Sequence, residues 1–264
     1  MSVKLTILGC GSSAGVPRIG GDWGACDQAN PKNRRRRCSV LLEQTANTGT
    51  TRVLIDTSPD MREQMLSAEV PALDGVWYTH EHADHTHGID ELRAFYLLQR
   101  KRIPLWADEA TAAMLKSRFA YCFQSPVGSD YPAIAEHRMI EPDVVIATAG
   151  AGGSISGLPF IVQHGTITAL GFRIGNVAYT PDVNDIPETS FAALEGLDIW
   201  IVDALRRTPH PTHFSLQETL HWIERIKPKR AILTNLHVDL DYQTLTKELP
   251  AHIRPAYDGM TIAA

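Results

Sequence analysis

Thr79-His80-Glu81-His82-Ala83-Asp84-His85 follows directly on the apolar run Val76-Trp77-Tyr78, and the reading of the fold starts at this junction. Residues two apart on an extended backbone share a face, so His80 and His82 can grip one cation together. Asp84 and His85 arrive as the chain turns and can point back toward a second cation. Of the eleven histidines in the chain, His80, His82, His85 and His87 are crowded into this one short stretch, which random scatter would not produce. Imidazole and carboxylate ligands suit zinc, manganese or iron, and the lack of nearby cysteine disfavours an iron–sulfur or structural zinc site.

Outward from this string, short β-rich runs recur: Lys4 to Cys10, Ser39 to Gln44, Arg52 to Thr57, Gly75 to Thr79, Pro159 to Gln163, Leu170 to Ile174, Val177 to Thr180, Asp198 to Asp203 and Arg230 to Thr234. Helical patterns lie between them at Ile89 to Arg102, Glu109 to Phe123 and Ser215 to Ile226, the last with Glu218 at the capping-box position. Leu170 to Ile174 and Val177 to Thr180 are joined by Gly175-Asn176, a hairpin signal, so the sheets are mixed instead of purely parallel. The Pro, Gly and Ala-rich segment from Ser125 to Gly157 reads as a loop excursion or insertion. With no fixed-period repeat and no long linker, residues 1–264 read as one domain.

Composition excludes several classes. The chain of 264 residues is 44% hydrophobic and 21% charged, with 25 Lys+Arg against 30 Asp+Glu and a net charge of −5. That balance rules out a disordered, collagenous or small disulfide-stapled protein. Cys10, Cys26, Cys38 and Cys122 are scattered without a CxxC pair and read as free thiols. No stretch approaches the roughly 18 apolar residues of a membrane span, and the apolar run before Gly9 is too short for a signal peptide. The expectation is a cytoplasmic protein with no membrane association and no stable nucleic-acid partner.

The HxHxDH string resembles the signature of the metallo-β-lactamase superfamily, which implies a four-layer αββα sandwich of two mixed β-sheets. The resemblance also implies downstream ligands in a set order. A histidine after a strand is offered by Phe160-Ile161-Val162-Gln163-His164, and an acidic residue bridging two cations by Thr180-Pro181-Asp182. The implied cofactor is a pair of divalent cations, Mn2+ or Zn2+, sharing Asp182 and a water whose pKa falls toward neutrality. For the last ligand, the string Thr234-Asn235-Leu236-His237 puts Asn235 where relatives carry histidine. His237 lies on the same face of an extended chain and is expected to complete the set His80, His82, Asp84, His85, His164, Asp182 and His237; the alternative is that Asn235 binds weakly or that the second site is poorly filled, which would make one metal easier to lose.

Other strings narrow the branch. Leu8 to Pro17, Asn33 to Ser39, Leu54 to Arg62, Gly88 to Arg93 and Asp203 to Arg206 followed by His210-Pro211-Thr212-His213 are similar to PhnP-like phosphodiesterases, relatives of the tRNA-3′-processing nucleases that lack the long RNA-gripping arm. This likeness implies that His213 donates a proton to the leaving alkoxide or holds a phosphate oxygen. Asp84, Asp182 and His213 are the expected catalytic residues, with Arg62, Arg206 and His213 as candidates for substrate contact. Of the run Arg34 to Arg37, at least two are expected to be solvated. Some PhnP-like proteins bind a separate structural zinc through cysteines after Gly-Val-Pro and a further histidine. Here only Cys26 remains, Val238 stands at the histidine position, and other contacts must hold the loop.

The expected activity is hydrolysis of small nucleotide-like or cyclic phosphodiesters by a dinuclear metal-dependent enzyme. The alternatives are a tRNA-processing nuclease, a lactone, thioester or lactam hydrolase, and a catalytically silent metal-binding protein. A homodimer is common for such folds.

Overall fold

The computed structural model describes residues 3–264. Strands β1 (Lys4–Gly9), β2 (Ser39–Ala46), β3 (Gly49–Ile55), β4 (Gly75–Trp77), β5 (Ile103–Ala107) and β6 (Ala135–Met139) form one sheet. Strands β7 (Ile146–Gly150), β8 (Gly153–His164), β9 (Ile167–Ile174), β10 (Val177–Thr180), β11 (Ile199–Asp203), β12 (Arg230–Thr234) and β13 (Ile253–Pro255) form the other. The last strand, β14 (Thr261–Ala263), returns to pair with β1. Both sheets are built alike: an antiparallel meander, β1-β2-β3 or β7-β8-β9-β10, gives way to parallel neighbours, β3-β4-β5-β6 or β10-β11-β12-β13.

Strand alternation produces the layers. Val53 and Ile55 of β3 face Ile199 and Ile201 of β11 in a core between the sheets. Leu54 turns the other way, onto Met61, Leu92 and Leu115 from helices α1 (Met61–Ser67), α3 (Leu92–Gln99) and α4 (Glu109–Arg118). On the second sheet Trp200 and Val202 pack outward against Leu194 and Trp222, from α6 (Phe191–Leu194) and α7 (Leu216–Ile226). The fold is the expected αββα sandwich. Helix α7 carries the full capping box, with Ser215 Oγ accepting from Glu218 N–H and the Glu218 carboxylate accepting from Ser215 N–H.

Three local readings change. The segment 125–157 contains β6 and β7, one edge strand of each sheet, so it carries the crossover from the first sheet to the second. Its alanines and glycines hide a short alternating strand, Ile146 to Gly150. The helical patterns at 89–102 and 109–123 each break. The first begins as a 3-10 turn at Ile89–Glu91, and the second divides at Phe119 into α4 and α5 (Ala120–Phe123).

The arginine run is the third change. Only Arg34 is exposed, over the Trp23 ring at 5.2 Å. Arg36 and Arg37 pair with Asp258 and Asp60 at 3.1 and 3.0 Å. Arg35 is buried, donating to the carbonyls of Leu240 (2.7 Å) and His237 (3.3 Å) and to Asn33 Oδ1 (3.2 Å). Beside it, Val16, Cys26 and Val238 pack with Trp23, and Ala25 N–H donates to Val238 O. These contacts hold the loop in which Cys26 is the one cysteine.

Asp241 ties this corner to helix α8 (Tyr242–Glu248), accepting from Thr244 N–H (2.8 Å), Asn33 Nδ2 (2.6 Å) and Asp27 N–H (3.1 Å). Burial raises its pKa, but the three donors outweigh burial and hold it down at about 2, against an ordinary 3.8. A depressed carboxylate stabilises the fold above its unfolded pKa and loses that contribution as pH falls through the folded value. Asp241→Asn is therefore expected to lower stability by about 2 kcal/mol at pH 6. In denaturant melts across pH, the gap from wild type should close between about pH 4 and pH 2. A gap independent of pH would assign the loss to packing.

Candidate metal centre

The site residues sit where strands end on one edge of the sandwich. His80 follows β4, His164 ends β8, Asp182 follows β10, Asp203 ends β11 and Asn235 follows β12. His82 caps the short helix α2 (Ala83–Thr86), whose first turn carries Asp84 and His85. Both sheets thus contribute: the first supplies the HxHxDH string and the second supplies the rest.

Two donor groups form. His80, His82, His164 and Asp182 make one and Asp84, His85 and Asp182 the other, each with donor atoms within 4.8 Å of one another. Asp182 belongs to both through different oxygens. Its Oδ2 lies 3.8 Å from His80 Nε2 and 3.6 Å from His164 Nε2, while Oδ1 lies 3.2 Å from His85 Nε2.

The outer ring nitrogens are already engaged. His85 Nδ1–H donates to Asp56 Oδ2 at 2.7 Å, His80 Nδ1 lies 2.9 Å from Thr79 Oγ1, and His164 Nδ1–H donates to Thr212 O at 2.6 Å. Thr79 is itself fixed by Asp56 through its amide and hydroxyl, both at 2.8 Å. Such partners set the tautomer and aim Nε2 inward. Gly165 permits the last contact. It lies in the left-handed region, at φ 65, and a Cβ there would lie 2.4 Å from Thr212 Cγ2.

The donor set fits divalent cations on an observation internal to the structure. The Nε2 atoms of His80 and His85 are buried and have no hydrogen-bond partner, an arrangement costly for a polar atom unless something binds there. Burial, with help from neighbouring imidazoles, lowers the pKa of His80 well below its ordinary value; burial likewise lowers that of His164. Both rings are thereby kept neutral, the form that binds metal. Burial opposes charge on His85 as well, but Asp182, Asp84 and Asp56 surround it and raise its pKa well above the ordinary value. Burial also disfavours the Asp182 carboxylate, yet His85 holds its pKa well below the usual range.

His213 approaches Asp182 from α7's N-terminal side, with Nδ1 4.0 Å from Asp182 Oδ2. Its Nδ1–H donates to Asp203 Oδ2 at 2.7 Å, and the same oxygen accepts from Val183 N–H. Burial works against the imidazolium, but Asp203 raises the His213 pKa to about 9.

Sequence expectation and structure part company at three residues. His237 does not join either donor group: Asn235 adopts φ 60, so the chain is not extended there and the two-residue alternation fails. Its Nδ1–H donates to Asp239 Oδ1 at 2.9 Å, and its Nε2 faces the Arg18 guanidinium. Asn235 instead reaches the centre, with Nδ2 3.4 Å from Asp182 Oδ1. His237→Ala is therefore expected to keep the wild-type metal content after dialysis, as measured by elemental analysis; loss of one equivalent would restore the ligand role.

Arg62 lies away from the site, paired with Glu63 at 2.5 Å beside an apolar groove that includes Leu66 and Leu98. Arg206 lines the pocket next to the centre, but its guanidinium donates to the carbonyls of Thr208 (3.1 Å) and Pro209 (2.7 Å) and braces its own loop. Arg18 lines the same pocket and was not legible as a site residue, because nothing in Val16-Pro17-Arg18-Ile19 marks it.

Comparison with known proteins agrees with this architecture. The family model described as the beta-lactamase superfamily domain matches residues 51–235. An octanoyltransferase of Porphyromonas gingivalis (strain ATCC BAA-308 / W83) is 30% identical over 263 residues, covering 98% of this chain but 51% of that protein. The chain thus spans about half the length of that curated relative, at 51%. Among solved structures, a diphosphatase from the PhnP family is 36% identical with a TM-score of 0.88, covering 100% of this chain and 98% of that one. Human tRNase Z, short form, shares the fold at a TM-score of 0.62 and 16% identity, with 98% of each chain covered. The His/Asp cluster suggests divalent-metal binding, and the likenesses support a hydrolase. On the match over most of its length, the chain belongs to the metallo-β-lactamase superfamily, and within it to the PhnP-like branch.

Proposed function

We propose that the protein is a dinuclear metal-dependent phosphodiesterase acting on small nucleotide-like or cyclic phosphodiesters. The observation that carries this reading is Asp182, whose two oxygens face two separate donor groups, with His213 beside them on the side open to solvent. Two divalent cations, manganese or zinc, held by these residues would supply polarisation of the phosphoryl oxygens and a nucleophile from water at neutral pH.

The protein's own groups do the rest. Asp56 and Thr79 fix the rings of His85 and His80. Asp84 lies in the pocket wall as an acceptor that can orient the attacking water. Hydrolysis forms a bond from the water oxygen to phosphorus and breaks the bond from phosphorus to the leaving oxygen. His213 keeps its Nδ1–H on Asp203 and gives the proton on Nε2 to that leaving oxygen, so the product departs as a neutral alcohol.

Phosphorus chemistry is favoured over acyl transfer by two considerations. A relative 36% identical and similar over 98% of its length is named a diphosphatase, whereas the relative named an octanoyltransferase is about twice as long, this chain spanning 51% of it. Covalent acyl transfer through a thioester needs an accessible, low-pKa thiolate. All four cysteines are buried, and burial raises every one of their thiol pKa values, Cys122 to about 12.

The test is turnover of bis(p-nitrophenyl) phosphate, p-nitrophenyl phosphate, a β-lactam and an octanoyl thioester by metal-stripped protein reloaded with manganese or zinc. Diester-selective, metal-dependent turnover supports the proposal. Carbonyl hydrolysis alone would overturn it in favour of another branch activity, and metal binding without turnover would point to a silent binding protein.

A further inference from the structure

Beside the metal centre a pocket of about 200 Å³ is lined by Asp84 and by His213, whose ring lies 5.2 Å from that of His210, and also by Arg18 and His237. Arg18 brings a guanidinium to this wall, and the proposed reaction leaves it without a task. Arg18 is also held in place. One terminal nitrogen pairs with Asp22 at 3.3 Å, and the other donates to His237 Nε2. His237 in turn donates its Nδ1–H to Asp239, which also accepts from Arg207 N–H at 2.9 Å.

The loop geometry brings Arg18 there. Arg18 and Asp22 bridge across Ile19-Gly20-Gly21, with Arg18 N–H donating to Asp22 O at 2.9 Å and both glycines at positive φ. The base of this hairpin is pinned by Val16, which exchanges backbone hydrogen bonds with Arg35 at 2.9 Å. The hairpin therefore aims one guanidinium at the pocket.

We infer that Arg18 is a specificity-determining residue that receives a second, terminal phosphoryl group carried on the leaving side of the substrate, with His237 as the residue that positions it. The inference rests on the phosphodiesterase reading for what happens at the centre, but the binding it assigns to Arg18 stands apart from turnover. A planar guanidinium presents paired N–H donors matched to phosphate oxygens, and a terminal phosphoryl group brings a second negative charge that a simple diester lacks. In this arrangement the water oxygen bonds to the phosphorus at the centre, giving up its proton to solvent, as the bond from that phosphorus to the leaving oxygen breaks. The leaving oxygen takes its proton from His213, and the inorganic phosphate so released is held by Arg18.

The experiment compares ADP, which carries the terminal phosphoryl group, with bis(p-nitrophenyl) phosphate, which does not. The readout is the ratio of kcat/KM values in wild type, Arg18→Met, Arg18→Lys and Arg62→Gln. Arg18→Met should reduce the ADP-to-diester ratio by about 10- to 100-fold, mainly through KM, the range expected for losing a charge-assisted hydrogen bond. Arg18→Lys should recover part of it, and Arg62→Gln should leave it unchanged. In parallel, binding of inorganic phosphate to the metal-stripped protein is read by 31P line broadening, which should weaken in Arg18→Met. An Arg18→Met ratio within twofold of wild type would overturn the assignment. If wild type cleaves neither compound, the phosphodiesterase reading fails, and phosphate binding then decides the subsite: equal broadening in wild type and Arg18→Met removes it, and selective loss sustains it.

Discussion

Asp182→Ala is expected to lower diester turnover by at least about 10³-fold, close to 4 kcal/mol of barrier, and to reduce bound metal from two equivalents to one or fewer. The reason is the division of labour between its oxygens. Oδ2 completes the group of His80, His82 and His164, and Oδ1 completes the smaller group of Asp84 and His85. Removing the carboxylate takes a donor from both groups and removes a negative charge that would offset the repulsion between two bound cations. Asp182→Asn separates charge from shape, since it keeps the side-chain volume and loses the anion. Elemental analysis after dialysis, beside kcat for bis(p-nitrophenyl) phosphate and a circular dichroism check of folding, decides the matter. Retention of two metals with turnover within tenfold of wild type would sink the bridging role.

His213→Ala should keep its metals and still lose activity, but by an amount that depends on the substrate. A proton donor matters most when the leaving group is a poor one, and general acid catalysis contributes about 10²- to 10⁴-fold. An alkyl phosphodiester, whose alkoxide leaves badly, should therefore suffer the full loss. Bis(p-nitrophenyl) phosphate, whose phenolate leaves readily, should suffer far less. A rate that falls equally for both substrates would mean that His213 holds phosphate oxygen or supports the loop instead of donating a proton. The Asp203 partner makes a second check available: Asp203→Asn keeps the 2.7 Å neighbour but removes the charge that favours the imidazolium, and should lower the basic limb of the pH profile. The sign follows from the raised pKa. As a general acid His213 would act when protonated, so activity should be lost as pH rises through its pKa, and a lower pKa should move that loss to lower pH.

Much of the architecture was legible because it rests on alternation and on one dense motif. Val53, Leu54 and Ile55 alternate between two cores, and the strand ends carrying His80, His164 and Asp182 follow from runs of β-branched and aromatic residues. The structure brings those three together with His82, Asp84 and His85, which local spacing could suggest for the motif but not for the distant partners. What failed to read failed for stated physical reasons. The argument for His237 assumed an extended chain, and a single left-handed residue, Asn235, redirected it. The four consecutive arginines looked like one charged surface, yet three of them are spent on separate internal contacts at Asp258, Asp60 and a set of carbonyls. Arg18 gave no signal at all, since its place beside the pocket depends on a hairpin closed by Asp22 and on His237, 219 positions away along the chain.

The corner built on Arg35, Cys26 and Val238 has a consequence for how the molecule responds to its surroundings. Where a zinc ion would make this wall depend on metal supply and on thiol oxidation, here a buried guanidinium and a few apolar side chains keep it in shape. Chelation is thus expected to leave this corner and the Arg18 hairpin pinned to it in place, because their contacts are made by the protein's own side chains and backbone.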